Sequence, residues 1–200
     1  MRMGKIGIAI LAAGASRRLG EPKQLLRISG KSLLRHAAEE ALATEAACVV
    51  VVLGAYAEKV MPELEGLNVR IAENHNWQEG MASSIRAAIG QLQAAQVNAA
   101  LLMLCDQPLI ERDFLQKMMT VWRRVSVPIV AAGYGGTVGA PALFESSCFD
   151  ELMNLRGERG ARQLIHQYQH EVVPCPAGVV DIDTPEHKMA LEIIFKLKSQ

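Results

Sequence analysis

Ile6-Gly7-Ile8-Ala9-Ile10-Leu11 runs directly into Ala12-Ala13-Gly14-Ala15-Ser16-Arg17-Arg18-Leu19-Gly20-Glu21-Pro22-Lys23-Gln24-Leu25-Leu26. The leading residues form an apolar run of strand length, and the residues after them are small, glycine-bearing and then cationic. Small residues let backbone N–H groups approach anionic oxygens, and Arg18 and Lys23 add fixed charge on the same loop. A buried strand that delivers such a loop reads as part of an α/β sheet with a phosphate cradle at the strand's carboxyl end. The spacing is neither GxxxxGK[ST] nor GxGxxG, so it is not a Walker loop or a dinucleotide fingerprint.

The rest of the chain continues the alternation. Residues 48–53, 69–73 and 100–104 read as further strands. Ser32 stands as an N-cap before Leu33, Leu34, Ala37, Ala38 and Ala41, and Ser83-Ser84 precede Ile85, Ala88, Ile89 and Leu92 at helical spacing. A further helix is expected over 111–124. These elements predict a three-layer α/β/α domain on a mostly parallel, Rossmann-like sheet, with ligands gathered at the carboxyl ends of its strands. After Pro128 the pattern changes: residues 129–132 and 138–143 flank Gly133, Gly135, Gly136 and Gly139, which predicts a small antiparallel β insertion in the second half. Short helices are expected over 148–155 and 161–168, strands over 171–174 and 179–183, and a last helix starting at Thr184-Pro185-Glu186.

At 200 residues, 50% of them hydrophobic, the chain suits a single domain, with a nucleotide-binding half over about 1–110 and an acceptor-binding half over about 111–200. Lys plus Arg and Asp plus Glu stand at 21 each, with no basic run to track a polyanion, so a nucleic acid is not an expected partner. The cysteines, Cys48, Cys105, Cys148 and Cys175, lack CxxC spacing and read as reduced thiols rather than disulfides or a metal cage. The apolar stretch 6–13 is too short to span a membrane, and the expected location is cytoplasmic.

Two acidic positions suit a divalent metal. Leu101-Leu102-Met103-Leu104-Cys105-Asp106 is a buried strand ending in a carboxylate, which is costly unless a cation meets it; the alternative is a helix-capping Asp. Val179-Val180-Asp181-Ile182-Asp183 places Asp181 and Asp183 on one face of a strand. Mg²⁺ takes one or two carboxylates and completes its shell with phosphate and water oxygens, which suits Asp106 with Asp181. In the stretch from Asn74 to Ser84, Gly80 lets a base approach the backbone, while Ser84 either meets the base or caps the helix. Trp77 either packs or stacks.

The first loop resembles the signature L-A-A-G-x-[GS]-x-R-[ML]-G-x-x-K-x-L of the nucleotidyltransferase (pyrophosphorylase-like) superfamily. That resemblance implies a loop, including Leu11, Ala12, Ala13, Gly14 and Ser16, wrapped on a triphosphate. Arg18 and Lys23 would bind the phosphates and act catalytically, Asp106 would be the metal Asp, and Asp181 the second metal position. Arg17 falls in the variable slot. The pattern N-x-x-W-x-x-G-M-x-x-S, here Asn74, Trp77, Gly80, Met81 and Ser84, is similar to the molybdenum cofactor branch, whose L-A-A-G members resemble CTP users and L-A-G-G members GTP users. Gly139-Ala140-Pro141-Ala142-Leu143-Phe144 and Leu155-Arg156-Gly157-Glu158-Arg159-Gly160-Ala161-Arg162 resemble G-x-P-x-L-F and L-x-G-D-x-G-A-R. Glu158 replaces Asp, and His187 stands where that branch has another Asp. The implied site thus adds Asn74, Gly80 and Ser84 for the nucleotide, and Gly139, Pro141, Gly157, Gly160 and Arg162 for the acceptor. The implied activity is Mg²⁺- (or Mn²⁺-) dependent transfer of CMP from CTP, or of the nucleotide from another NTP, to the terminal phosphate of molybdopterin, with a molybdenum hydroxylase as recipient. Rival expectations are a GTP-using, sugar-phosphate or methylerythritol-phosphate transferase, and a non-catalytic cofactor carrier.

Overall fold

A computed structural model describes residues 2–182. Asp183, His187 and the helix expected from Thr184 lie outside the described residues. The chain runs β1 (Ile6–Ala12), a small hairpin of β2 (Arg27–Ile28) and β3 (Lys31–Ser32), α1 (Leu33–Leu42), β4 (Cys48–Leu53), α2 (Ala57–Val60), β5 (Arg70–Glu73), α3 (Met81–Ala94), β6 (Ala99–Leu104), α4 (Arg112–Arg124), β7 (Ile129–Tyr134), β8 (Thr137–Glu145), α5 (Phe149–Met153), α6 (Arg162–Gln167) and β9 (His170–Pro174). Seven strands form one sheet in the order β5-β4-β1-β6-β8-β7-β9. Among its described strands β8 alone runs against the others, pairing antiparallel with both β6 and β7.

Strand periodicity sorts the core onto the two faces of the sheet. Ile6, Ile8 and Ile10 of β1, Val49 and Val51 of β4, and Leu101 and Met103 of β6 meet α1 and α4, which bury Leu34, Ala38, Leu115, Met118 and Trp122. Their neighbours Ala9, Leu11, Val50, Val52 and Leu102 face the other way, onto Ile85, Ile89 and Leu92 of α3 and Leu164 and Ile165 of α6. Both faces being covered, β1, β4 and β6 are apolar throughout rather than alternating.

The expected small antiparallel pair is present as β7/β8, and β8 joins it to the central sheet by pairing with β6 from Ala99↔Glu145 to Leu102↔Ala142. Two expectations change. Residues 179–182 do not form a strand: a 3₁₀ turn takes Pro176–Val179, and residues 180–182 continue without regular structure, so no strand face presents Asp181. Ser83 and Ser84 lie inside α3, whose N-cap is Gly80. Ser32, by contrast, caps α1 as expected, its hydroxyl accepting from Arg35 N at 3.2 Å. No described helix is long and apolar enough to cross a membrane, and all four cysteines are free thiols.

The chain leaves β1 for β4 and β5 on one side, then returns through α3 to β6 on the other. The crevice between the carboxyl ends of β1 and β6 is therefore the topological switch point, where such sheets collect ligands.

Candidate functional site

The loop after β1 is held by its carbonyls. Gln24, only 1% exposed, donates Nε2–H bonds to Ala12 O at 2.7 Å and Gly14 O at 3.0 Å. Ala55 N donates to Ala13 O at 3.1 Å, and the Tyr56 hydroxyl to Ala15 O at 3.1 Å. Four successive acceptors are thus occupied by donors from the body of the protein, an arrangement that suits an anion, which needs donors around it. Ser16, at φ 48°, accepts the Lys23 N–H on its hydroxyl at 3.2 Å and closes the turn. Gly14, Ser16, Arg17, Arg18 and Lys23 then line a cavity of ≈ 240 Å³. Gln24 has no periodic or charge signal; its place beside Lys23 is the only hint of its role.

Lys23 and Asp106 meet in that crevice as an ion pair, Nζ to Oδ2, with side chains 17% and 11% exposed. Asp106 is not a helix cap, since α4 begins only at Arg112 behind Glu111. The Asp106 carbonyl accepts from Ile182 N at 3.1 Å, which brings the segment carrying Asp181 back to the end of β6.

The segment after β5 forms the wall of a second cavity. Asn74 is buried and donates to the hydroxyls of Ser83 at 2.8 Å and Ser84 at 3.1 Å, tying the end of β5 to the first turn of α3. Gly80 sits at φ 99°, ψ −170°, a conformation open essentially to glycine alone. Leu11, Ala13, Gly14, Trp77, Gly80 and Ser84 converge on this cavity of ≈ 250 Å³, with Glu158 closing it from the second half of the chain. Trp77 packs on the α3-side core and also lines the cavity, so both of its readings meet. Ala12 and Asn74 lie behind the walls: Ala12 joins the core on the α1 side, and the Asn74 amide is engaged by the two serines.

A third cavity, ≈ 360 Å³, opens on the other side of Leu11 and Met81. Its floor is apolar, from Ile85, Leu102, Leu104 and Phe144, and its rim carries Gly139, Gly160, Arg162, Asp181 and Tyr134. Gly139 leaves room for the Tyr134 hydroxyl, 2.6 Å from where a Cβ would stand. Burial pushes the Tyr134 phenol up, with a Gln107 hydrogen bond opposing, so it presents a neutral hydroxyl near neutral pH. Arg162 donates to Val138 O at 2.8 Å and to the Thr137 hydroxyl at 2.5 Å, fastening α6 to β8. Pro141 is buried off the cavity wall, and Gly157 instead offers its carbonyl to Ala82 N at 3.1 Å. Loop 157–160 thereby stands between the second and third cavities. Tyr134 and Gln107 carried no signal beyond an ordinary strand aromatic and a loop amide.

Among the described residues no group of three or more His, Cys, Asp or Glu side chains forms a metal cage. The carboxylates of Asp106 and Asp181, hard oxygen donors on adjoining backbone segments beside the phosphate loop, fit a cation of the Mg²⁺ or Mn²⁺ kind that takes few protein ligands and fills its shell with phosphate oxygens and water.

Residues 8–172 match the MobA-like NTP transferase domain family. Nicotine blue oxidoreductase of Paenarthrobacter nicotinovorans is 44% identical, over 91% of this chain and 94% of its own. Molybdenum cofactor cytidylyltransferase of Escherichia coli K12 is 24% identical over 92% and 94%, and molybdenum cofactor guanylyltransferase of Shewanella baltica 25% identical over 94% and 97%. Among solved structures, a homologue of Mycobacterium tuberculosis Rv0371c from Mycobacterium sp. strain JC1 aligns with TM-score 0.84 at 26% identity, covering 98% of both chains. Rv0371c itself, in complex with manganese, aligns at 0.76 and 26%, covering 94% of this chain and 98% of its own. With the phosphate loop and the Lys23–Asp106 pair at the switch point, a match of this extent makes the chain a nucleotidyltransferase of the MobA-like NTP transferase domain family.

Proposed function

We propose that the chain transfers CMP from CTP to the terminal phosphate of a molybdopterin-type acceptor, with release of pyrophosphate. The observation that carries this reading is the Lys23–Asp106 pair: Lys23 lines the cationic loop cavity, and the Asp106 carbonyl accepts from Ile182 N, next to the Asp181 that lines the apolar cavity. The triphosphate lies on residues 14–23 with Arg18 and Lys23 against its oxygens, and the base enters the cavity walled by Ala13, Gly80 and Ser84. The body of the acceptor lies on Leu102, Leu104 and Phe144. Ala13 adds a methyl to the base cavity and favours a pyrimidine over the larger guanine by at most about 1–3 kcal/mol, which leaves GTP as the alternative donor.

An acceptor phosphate is already anionic near pH 7, so it attacks the α-phosphorus without a general base. The new bond joins the acceptor oxygen to the α-phosphorus as the bond to the β-phosphate oxygen breaks, and the electron pair leaves with pyrophosphate. Lys23 and Arg18 neutralise charge on the leaving group, while the loop and Gly160-Ala161-Arg162 hold donor and acceptor in line. Asp106, with Asp181, would hold the divalent cation, which when bound supplies further charge neutralisation on the phosphates.

The test is pyrophosphate release from CTP, GTP, UTP and ATP with Mg²⁺ or Mn²⁺ and a molybdopterin acceptor. Metal-dependent release with CTP favoured is expected; none with any nucleotide would refute the reading. A second reading rests on the 44% identity to a protein named an oxidoreductase: the same cradle would hold the phosphates of a hydride-donating dinucleotide. Oxidation of a reduced nicotinamide dinucleotide without pyrophosphate release would favour it.

A further inference from the structure

We infer, on the footing of the nucleotide-binding reading above, that Glu158 is a specificity-determining residue. Its carboxylate selects a base that bears an amino group and disfavours uracil. Glu158 lines the cavity next to the loop after β1, together with Ala13, Trp77, Gln78 and Ser84. Its carboxyl carbon lies 2.7 Å from where a Cβ on Gly80 would stand, so the carboxylate rests directly over the Gly80 backbone at the mouth of the cavity.

The backbone that carries Glu158 is fastened to the same wall. Ala82 N donates to Gly157 O at 3.1 Å. Arg86 of α3 donates to Leu155 O at 2.8 Å and pairs with Glu79 at 2.5 Å, linking the turn before Gly80 to the approach of loop 157–160. Glu79 is thus committed to Arg86. Glu158 takes part in no ion pair or side-chain hydrogen bond among the described residues, which leaves its acceptor capacity for a ligand.

The sign of the recognition comes from the donor inventory. Ser84 and Gln78 each carry a donor and an acceptor and adapt to either kind of base edge. An ionised carboxylate only accepts. It is satisfied by the amino group of cytosine or adenine, or by the N1–H and amino group of guanine, whereas uracil offers it the N3–H alone, with O4 beside that donor turning a lone pair toward the carboxylate. A hydrogen bond to a charged group, here partly open to solvent, sets the scale at about ten- to a hundredfold in affinity.

The experiment measures thermal stabilisation by CTP, GTP, ATP, UTP and inorganic tripolyphosphate, each with Mg²⁺, in the wild-type chain and in Glu158→Gln. Unliganded melting temperatures check that the variant folds. Glu158→Gln is expected to lose about tenfold for the favoured amino-bearing nucleotide and to gain for UTP, because the new amide donates to O4, while tripolyphosphate binding stays unchanged. An unchanged ranking of nucleotides in Glu158→Gln, or a wild-type preference for UTP, would overturn the inference and leave the nucleotidyltransfer reading intact. Stabilisation by none of the nucleotides would overturn that underlying reading and the inference with it.

Discussion

Gly80→Ala tests whether loop 157–160 is seated on the Gly80 wall of the second cavity. Two costs separate. Alanine must adopt φ 99°, ψ −170°, a region nearly reserved for glycine, at about 1–3 kcal/mol. Its Cβ would also stand 2.7 Å from Gly157 O and 2.8 Å from Gly157 C, backbone atoms that yield only if loop 157–160 moves, at a further ~1–3 kcal/mol of overpacking. The same movement would stretch the Ala82 N to Gly157 O bond and lift Glu158 from the cavity mouth. A total of about 2–6 kcal/mol is a large share of the 5–15 kcal/mol typical of a domain, and at a urea m-value near 2 kcal/mol/M it moves the unfolding midpoint down by ~1–3 M. Gly66→Ala is the control, because Gly66 also has positive φ, +78°, but a Cβ there meets nothing within 4 Å. Urea unfolding of both variants, monitored by far-UV circular dichroism, gives the contact contribution, together with any difference in backbone strain, as the difference of the two midpoints. A Gly80→Ala midpoint no lower than that of Gly66→Ala would refute the seating of loop 157–160 on Gly80, and with it the placement of Glu158.

Lys23→Met removes the cation paired with the Asp106 carboxylate in a site where both side chains are under one-fifth exposed, and should destabilise by up to about 3–5 kcal/mol while lowering turnover at least ~100-fold. Adding Asp106→Asn should return part of the stability and none of the turnover, so recovery of activity in the double variant would contradict a catalytic role for the pair. Cys105 is held protonated by burial, and secondarily by the Asp106 charge, its thiol pushed up to about 12 from 9.0. With the folded value above the unfolded one, its stabilising contribution is complete below pH 9 and is lost as pH rises from 9 toward about 12. Cys105→Ala should flatten that part of the alkaline stability profile, and an unaltered slope would rule out the assignment.

The features legible in the sequence were local. β1, β4 and β6 announced themselves because strands covered on both faces are apolar at every position, and Ser32 because a hydroxyl before an amphipathic run has an N–H to accept three residues on. The loop after β1 stands out for the same reason: its small residues, Arg18 and Lys23 lie within one short stretch of chain. Ser83 and Ser84 misled because the actual helix start is Gly80, whose conformation no hydroxyl signals, and both serines turn inward to Asn74. Residues 179–183 alternate like a strand, yet Gly178 lies against the Tyr134 ring, 2.5 Å from a would-be Cβ, and the chain turns there instead. The pairing of β8 with β6 and the division of the second and third cavities by loop 157–160 depend on contacts between distant stretches, which no window of sequence contains.

The phosphate loop alone does not decide which chemistry comes after binding. Its carbonyls are tied back by Gln24, Ala55 and Tyr56, which leaves its cations to meet phosphate oxygens of either kind of ligand. Transfer is distinguished from a redox reaction by the charge placed beyond the loop. Hydride passage between two flat rings asks for an apolar contact and little else at the α-phosphate, whereas displacement there concentrates negative charge on the leaving pyrophosphate. Lys23 and Asp106 stand at the end of β6 beside that loop, paired and under one-fifth exposed, which puts a cation and a carboxylate where a displacement at the α-phosphate would use them. The apolar cavity floored by Leu102 and Phe144 suits a planar acceptor under either chemistry, so it carries no weight between them. The pair does, and it favours transfer.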